Sequence, residues 1–146
     1  MEGIEIKHIA MTDPAYQELL QLRHKVLRVP LGMNLFEEDL SRDAEDHILT
    51  AYKDGAMIGC VMLKPLNEKE VKLRAMAVEK DFQGRGIGKM LVEKAEDIAR
   101  ENGYETIVLH ARKTAKDFYG KMGYDAVSDE FIEVTVPHIA MQKHIG

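Results

Sequence analysis

A glycine-rich segment at residues 83–89 limits the possible folds of this chain most, because it separates a strand pattern from a helix pattern. Upstream, alternating residues over 71–78 predict a strand. Downstream, apolar residues recur at helical spacing from Ile87 to Ala99, and Asn102-Gly103 is typical of a helix C-terminus. The sequence therefore predicts a strand, a glycine turn and a long helix in direct succession.

The turn itself carries Gly84, Gly86 and Gly88. Glycine lets backbone N–H groups approach a ligand without a Cβ atom in the way, and the start of a helix favours an anion. Three glycines cost about 2–3 kcal/mol relative to alanine, whereas a plain turn needs only one. A P-loop is excluded because Met90 follows Lys89 where Ser or Thr is needed, and the glycine spacing excludes a dinucleotide fingerprint. We expect an anion site that would fit a pyrophosphate.

Three segments in order resemble the GCN5-related N-acetyltransferase (GNAT) family. The family signature Gln/Arg-x-x-Gly-x-Gly/Ala is matched at Gln83, Gly86 and Gly88, while residues 73–78 are similar to the family's fourth strand and residues 115–124 to its last helix and turn. Other parts of the chain resemble the ElaA/YjcF-like branch of the family, with less specific motifs. They are residues 22–28, 38–43 and 137–141, with His47 and Glu133. The resemblance implies acetyl-CoA as cosubstrate and an amine as acceptor.

The predicted elements give a fold of the α/β class. They are a strand at 4–9, a helix from Asp13-Pro14 to a break at 29–32, an acidic stretch at 37–46 with a short helix or loop, a hairpin of 48–52 and 57–63, the strand at 71–78, the helix at 87–101, a strand at 106–110, a helix at 114–122, and one or two strands within 131–142. Strand–helix–strand order in the middle implies a parallel pair, and hairpins imply antiparallel pairing. We expect a GNAT-type mixed, mostly antiparallel sheet with a central parallel strand pair, flanked by helices, in one domain spanning residues 1–146.

Composition and charge exclude several classes of protein. The net charge of -5 argues against a nucleic-acid binder, and no apolar run reaches membrane-spanning length. The N-terminus has no signal-peptide pattern, and the lone Cys60 excludes an internal disulfide, so we expect a cytoplasmic protein. The six histidines show no zinc-ligand grouping, and no metal is expected. A local basic patch suits a polyanionic cofactor, or is a solvated lysine face: Arg85, Lys89, Lys94, Lys113, Lys116 and Lys121.

The acetyl-CoA site follows from the glycine turn and the resemblance together. The pyrophosphate is expected on backbone N–H groups from Gly84 to Lys89. In the family, the pantetheine arm adds to the end of the fourth strand by main-chain bonding, and backbone N–H groups there polarise the thioester carbonyl. The side chains of Met76 and Val78 are expected in the core. The predicted contacts are Met76, Ala77, Val78, Gln83, Gly84, Arg85, Gly86, Ile87, Gly88 and Lys89.

Tyr119 is the candidate general acid that protonates the CoA thiolate as it leaves, since a phenol of pKa about 10 suits a thiol leaving group. Alternatively, Tyr119 packs with Phe118 and keeps its hydroxyl at the surface. No Ser/His/Asp arrangement has recognisable spacing, and Cys60 is expected to be buried and inert. Direct attack of the amine on bound acetyl-CoA is therefore the expected mechanism. Arg112 stands where many family members carry a cofactor-contacting asparagine, so its contact with CoA is open.

The group that takes the proton from the amine is also open. Deprotonating a lysine-like amine at pH 7 costs about 4–5 kcal/mol, so a base or a water relay is useful. Glu133 is the candidate general base, in addition to Tyr119 as the candidate acid. His110, His138 and water are the alternatives for the base. His110, as a lone histidine on an apolar strand, is more often a core residue. Glu38 and Asp39 of the acidic stretch could serve instead, attract a cationic acceptor, or form a solvated face.

The expected function is an acetyl-CoA-dependent N-acetyltransferase that acts on a primary amine. The alternative is a non-catalytic acyl-CoA-binding sensor module with the same fold. A phosphate-binding regulator unrelated to CoA would require the glycine match to be accidental. The acceptor, from small-molecule amines to protein lysines, is left open because acceptor loops carry the specificity. Family analogy allows a homodimer.

Overall fold

One mixed β-sheet organises the part of the chain that the computed structural model describes, residues 3–146. Its strands are β1 (Ile4–Ile9), β2 (His47–Lys53), β3 (Ala56–Pro65), β4 (Glu70–Val78), β5 (Thr106–Arg112), β6 (Asp125–Ala126), β7 (Phe131–Glu133) and β8 (Val136–His144). The order across the sheet is β1-β2-β3-β4-β5-β8-β6, and β7 pairs with β8. β4 and β5 run parallel, whereas the other pairs in this part of the chain are antiparallel. The predicted fold class is confirmed.

Helices cover both faces of the sheet. α1 (Tyr16–Leu27) packs on β3 and β4, while α2 (Ile87–Glu101) packs on β2, β3 and β4, and α3 (Lys116–Lys121) contacts β5 and β6. Leu49 and Val61 are buried with α2, whereas their strand neighbours Ile48 and Met62 are buried with α1. Successive strand residues point to opposite faces, so the sheet has an α1 face and an α2 face, each with its own apolar core. Full burial of one such side chain contributes about 1.5–3 kcal/mol.

A β-bulge interrupts β4 at its centre. Cys60 of β3 pairs with Ala77 and Met62 pairs with Arg74, so two residues of β4 lie opposite one residue of β3. Ala75, one of the two, has φ of 54°. The bulge reverses the alternation, because Leu73 belongs to the α2-face core and Ala77 to the α1-face core. The strand is confirmed, but its predicted regular alternation is wrong beyond the bulge.

Other boundaries differ from the prediction in small ways. The first helix begins at Tyr16 rather than at Asp13-Pro14, although the Asp13 carboxylate accepts the Ala15 N–H at 2.8 Å. The acidic stretch, for which a short helix or loop was expected, carries short 3-10 helices at Leu35–Glu37 and Ser41–Glu45. The chain after α3 forms three strands, of which the short β6 carries no sequence signal. A membrane-spanning helix, long and apolar enough for the purpose, does not occur within residues 3–146.

Candidate active site

A cleft opens where β4 and β5 separate. Their parallel pairing ends at Leu73 and Leu109, and β4 continues to Val78 without a partner on that side among the described residues. β5 stays paired with β8 to its end. The bulge in β4 follows directly after the point of separation, and a cavity of about 460 Å³ lies in the gap. The exposed edge of β4 therefore offers free backbone groups to an extended amide chain.

The cavity is lined from both faces of the sheet. Leu109 and Ala111 of β5 are buried in the α2-face core, so His110 and Arg112, which alternate with them, point to the α1 face. Both line the cavity, as does Tyr119 from the α2 face. A molecule in the cleft would therefore meet different side chains from each face.

The glycine turn lies beside this cavity at the start of α2. Gly84 and Gly86 have φ of 76° and 85°, a left-handed conformation that favours glycine, and Gly86 directly precedes the helix. The first N–H groups of a helix lack intrahelical partners and are available to an anion. Gln83 lines the cavity, and its side-chain amide donates to the Val78 carbonyl at 2.9 Å, which joins the turn to the end of β4.

The remaining predicted turn residues lie outside the cavity lining. Ile87 is buried in the α2-face core, and Arg85 lies over the Phe82 ring at 5.3 Å. Lys89 is exposed and 4.0 Å from Glu93. Along β4, Met76 lines the cavity, Ala77 is buried and Val78 is half-buried, and the side chains of Met76 and Val78 pack against the α2-face core as expected.

Tyr119 is buried and lines the cavity, with only 6% of its surface exposed. Its ring meets Phe118 and Tyr124 edge-on, at centroid distances of 4.9 and 5.8 Å. Burial raises the pKa of Tyr119 to about 12. The packing with Phe118 is as the alternative expected, and the residue borders the cleft rather than the outer surface, so its role as the acid stays a prediction.

Glu133 meets His110 on the α1 face of the cleft. The Glu133 carboxylate lies 3.0 Å from His110 Nδ1, and because a carboxylate only accepts, this hydrogen bond forms in the tautomer that carries its proton on Nδ1. Burial acts to raise the pKa of Glu133, but the hydrogen bond and charge of His110 and the charge of Lys72 outweigh it, so the pKa lies below its usual value. Lys72 Nζ also lies 3.4 Å from His110 Nδ1, where an ammonium could donate only to the other tautomer. In the tautomer that bonds to Glu133, Nε2 is the ring nitrogen free to take up a proton.

A tight hairpin holds Glu133 in this position. Glu133 pairs with Val136 across the two residues Val134 and Thr135, whose φ angles of 49° and 65° are those of a type I′ turn. His138 is buried, and its Nδ1 lies 2.8 Å from the Val136 carbonyl, while its Nε2 lies 3.8 Å from Glu133. Two histidines therefore flank one carboxylate in the cleft.

One sequence expectation about this region is wrong, and for the acidic stretch the solvated-face alternative fits. His110 is not a core residue, because β5 parts from β4 and leaves this side chain exposed in the cleft. The acidic stretch does not reach the cavity: Glu38 pairs with Arg28 at 2.7 Å, and Asp39 accepts hydrogen bonds from Ser41. Neither carboxylate is placed to act as the base.

A buried ionic network lies next to the cavity on the α1 face, and the sequence patterns did not predict it. The Asp43 carboxylate accepts from Tyr16 at 2.7 Å and Arg23 at 2.8 Å, and also from Arg74, which donates to Asp46 at 2.8 Å. Burial acts to raise the pKa of Asp43, but these donors hold it below its usual value. Arg23 and Arg74 both line the cavity. The one available signal was Arg23 beside Leu22 in an otherwise apolar helix stripe.

Arg112 lies at the cavity, whereas Cys60 lies in the core. Arg112 lines the cavity and donates to the Leu27 carbonyl at 3.2 Å, at the end of α1. Burial, together with the charge of Arg28, lowers its pKa. Cys60 is fully buried, and burial raises the pKa of its thiol to about 12, which fits the expected inert thiol.

Known proteins share this architecture. The profile described as "Acetyltransferase (GNAT) family" matches residues 13–124. The chain is 33% identical over 136 residues to the uncharacterized N-acetyltransferase YjcF of Bacillus subtilis (strain 168), covering 92% of this chain and 96% of that protein. An acyl-CoA N-acyltransferase structure from Pseudomonas aeruginosa is 25% identical with a TM-score of 0.82, covering 96% of this chain and 99% of that one.

Two further structures share the fold at lower identity. Escherichia coli ElaA is 19% identical with a TM-score of 0.84, covering 97% of this chain and 99% of that one. A GNAT family acetyltransferase from Elizabethkingia anophelis, solved with acetyl-CoA bound, is 17% identical with a TM-score of 0.72, covering 99% of each chain. This chain belongs to the GNAT family of acetyltransferases.

Proposed function

We propose that this protein transfers the acetyl group of acetyl-CoA to a primary amine by direct attack in a ternary complex. The observation that carries the proposal is the cleft between β4 and β5, where a buried phenol and a hydrogen-bonded Glu–His pair line one cavity from opposite faces. The fold relative from Elizabethkingia anophelis contains acetyl-CoA, which supports the same cosubstrate here. In the reaction, the amine nitrogen bonds to the acetyl carbon and the carbon–sulfur bond breaks.

The proposed cofactor contacts use backbone more than side chains. The pyrophosphate would lie on the N–H groups from Gly84 to Lys89, where the helix start favours an anion. The pantetheine amides would pair with the free edge of β4 over residues 76–78. An N–H group at that edge would polarise the thioester carbonyl and stabilise the charge that develops on its oxygen. The proposed side-chain contributions from Arg85 and Lys89 are secondary, because both are exposed.

Tyr119 is proposed as the acid that protonates the departing thiolate. With a pKa of about 12, the phenol keeps its proton throughout the neutral range. A thiolate formed in the same apolar surroundings is disfavoured for the same reason, as the buried Cys60 thiol with a pKa of about 12 illustrates. The pKa values of the Tyr119 phenol and of the leaving thiol are therefore close enough for the proton to pass to sulfur as the carbon–sulfur bond breaks.

The Glu133–His110 pair is proposed as the base. Glu133 stays ionised because its pKa is below the usual value, and it fixes the His110 ring through Nδ1. His110 Nε2 would accept the proton from the attacking amine, with Glu133 stabilising the imidazolium that forms. His138 and water remain alternatives for this step. One catalytic domain over residues 1–146, a cytoplasmic location and a homodimer stay predictions.

The test is acetyl-CoA binding by calorimetry, followed by CoA thiol release against a panel of primary amines. Saturable binding with amine-dependent thiol release is the expected result. Binding without release by any amine would favour the sensor module, and absence of binding would overturn both interpretations.

A further inference from the structure

The α1 side of the cleft is rich in positive charge. Five cationic side chains line the cavity, and Glu133 is the carboxylate among the described lining residues: Arg23, Arg28, Lys72, Arg74 and Arg112. Four of the five have negative charge nearby. Asp43 and Asp46 pair with Arg23 and Arg74, Glu38 pairs with Arg28, and Glu133 feels the charge of Lys72.

Arg112 is the exception. Within residues 3–146 it forms no ion pair with a carboxylate, and its one hydrogen bond goes to the Leu27 carbonyl at 3.2 Å. A guanidinium offers five N–H donors, so most of its bonding capacity is unused. Burial and the charge of Arg28 lower its pKa, which means that both make the positive charge of Arg112 less favourable. An anion in the cavity would offset both the burial and the repulsion.

The cofactor phosphates do not fit this position well. The proposed phosphate site at Gly84–Lys89 contributes no residue to the cavity lining. Arg112 points instead to the α1 face, the same face as His110 two residues earlier in β5. Arg112 therefore lies on the same side of the cleft as the proposed base.

We infer that the acceptor is a primary amine that also carries an anionic group, a carboxylate or a phosphate, and that Arg112 binds this group. The inference rests on the proposed acetyl transfer and specifies its substrate class. His110 and Arg112 are two residues apart on one face of β5, roughly 6–7 Å between their Cα atoms, so one small molecule could reach both side chains. Amino acids and amino-sugar phosphates are small molecules that carry both an amine and an anionic group.

Matched acceptors test the inference through thiol release. The carboxylate arm compares glycine, β-alanine and γ-aminobutyrate with their amides, and the phosphate arm compares glucosamine 6-phosphate with glucosamine. A charge-assisted bond predicts a kcat/KM at least about tenfold higher for the anionic member of one arm. The arm that shows this preference tells whether the anionic group of the acceptor is a carboxylate or a phosphate.

Variants assign the effect to Arg112. Arg112→Gln is expected to reduce the preference to within about twofold while leaving the acetyl-CoA Kd unchanged, and Arg112→Lys is expected to restore part of it. Arg42→Gln, an exposed arginine outside the cavity, is the matched control and should keep the wild-type preference. Thermal melting by circular dichroism checks that each variant is folded.

Three results would overturn the inference: equal kcat/KM within every pair, a preference that survives Arg112→Gln, or a large loss of acetyl-CoA affinity in that variant. Acetyl-CoA binding without thiol release from any amine would instead count against the proposed acetyl transfer. Calorimetry of β-alanine and glucosamine 6-phosphate against CoA-saturated protein then decides the inference separately. Binding no tighter than that of β-alaninamide and glucosamine would reject it.

Discussion

The two faces of the sheet meet at the cleft and present opposite chemistry to it. On the α2 face, Tyr119 packs among Phe118 and Tyr124, and the adjoining turn offers backbone N–H groups at the start of α2. On the α1 face, Asp43 organises two arginines beneath the cavity, and Glu133 holds His110. One side is apolar with neutral donors, and the other is a set of fixed charges.

The two faces meet two requirements that one environment could not meet: a phenol that stays protonated and a carboxylate that stays ionised. Apolar surroundings keep a phenol protonated, as the raised pKa of Tyr119 shows, and they disfavour a free thiolate. Neighbouring charges instead hold Glu133 ionised, and under the proposal they would bind the charged group of the acceptor. We therefore expect substitutions on the α1 face to alter stability, pH dependence and acceptor choice, and those on the α2 face to alter acetyl-CoA chemistry.

The largest effect is expected for Asp43→Asn, which tests whether the α1 face depends on its buried charges. The change leaves Arg23 buried without its partner carboxylate, and breaking a buried pair costs about 3–5 kcal/mol. Urea unfolding would show this loss. Glu45→Gln is the control, because its bond to Lys64 is exposed and contributes less than about 1 kcal/mol. Similar losses in the two variants would contradict the account of the network.

Tyr119→Phe tests the α2 face. Removing the proton donor should lower kcat by about 100-fold or more while acetyl-CoA affinity stays near wild type, since the ring packing is kept. Steady-state thiol release and calorimetry measure the two quantities. Tyr52→Phe, a half-buried tyrosine of β2 outside the cavity, should behave like wild type. An unchanged kcat in Tyr119→Phe would remove this residue from the mechanism.

Glu133→Gln tests the proposed base with a smaller effect. Glu133 has a lowered pKa, so its negative charge is present above the usual carboxyl range and is lost only as the pH falls through the lowered value. Without that charge, kcat/KM should fall about tenfold, and the loss of rate that follows protonation of Glu133 at low pH should be absent from the variant. Glu130→Gln, which removes only the exposed partner of Lys113, is the control. The same loss of rate at low pH in wild type and Glu133→Gln would exclude Glu133 from this role.

The smallest effect is expected at the glycine turn. Gly86→Ala places a side chain at φ of 85° and should cost about 1 kcal/mol of unfolding free energy. Gly88→Ala lies inside the helix, where its Cβ would meet only the Phe118 ring at 3.4 Å, so the unfolding free energy should be unchanged or slightly higher. Denaturant unfolding of the pair measures the difference. Equal effects would mean that the left-handed conformation of Gly86 is not what the turn requires.

Local patterns predicted most of the fold but only part of what lines the cleft. The glycine turn and the end of the long helix at Asn102-Gly103 depend on neighbouring residues, and the structure has them where the pattern indicated. The β7–β8 hairpin was not predicted in detail, because Val134 and Thr135 carry no turn signal. The expectation that His110 lies in the core failed for a related reason. Apolar neighbours indicated a buried strand, and only the separation of β4 from β5 exposes that side chain.

The sequence by itself determined the strand–turn–helix unit and the family, because these depend on spacing within short segments, and from the same spacing it predicted the acetyl-CoA contacts. The tertiary structure decided how charge is distributed around the cleft. Asp43 meets partners 20, 27 and 31 residues away, and Arg112 donates to the Leu27 carbonyl, 85 residues away. The energy of a charge depends on burial and on every nearby charge, and both are properties of the packed molecule rather than of any segment.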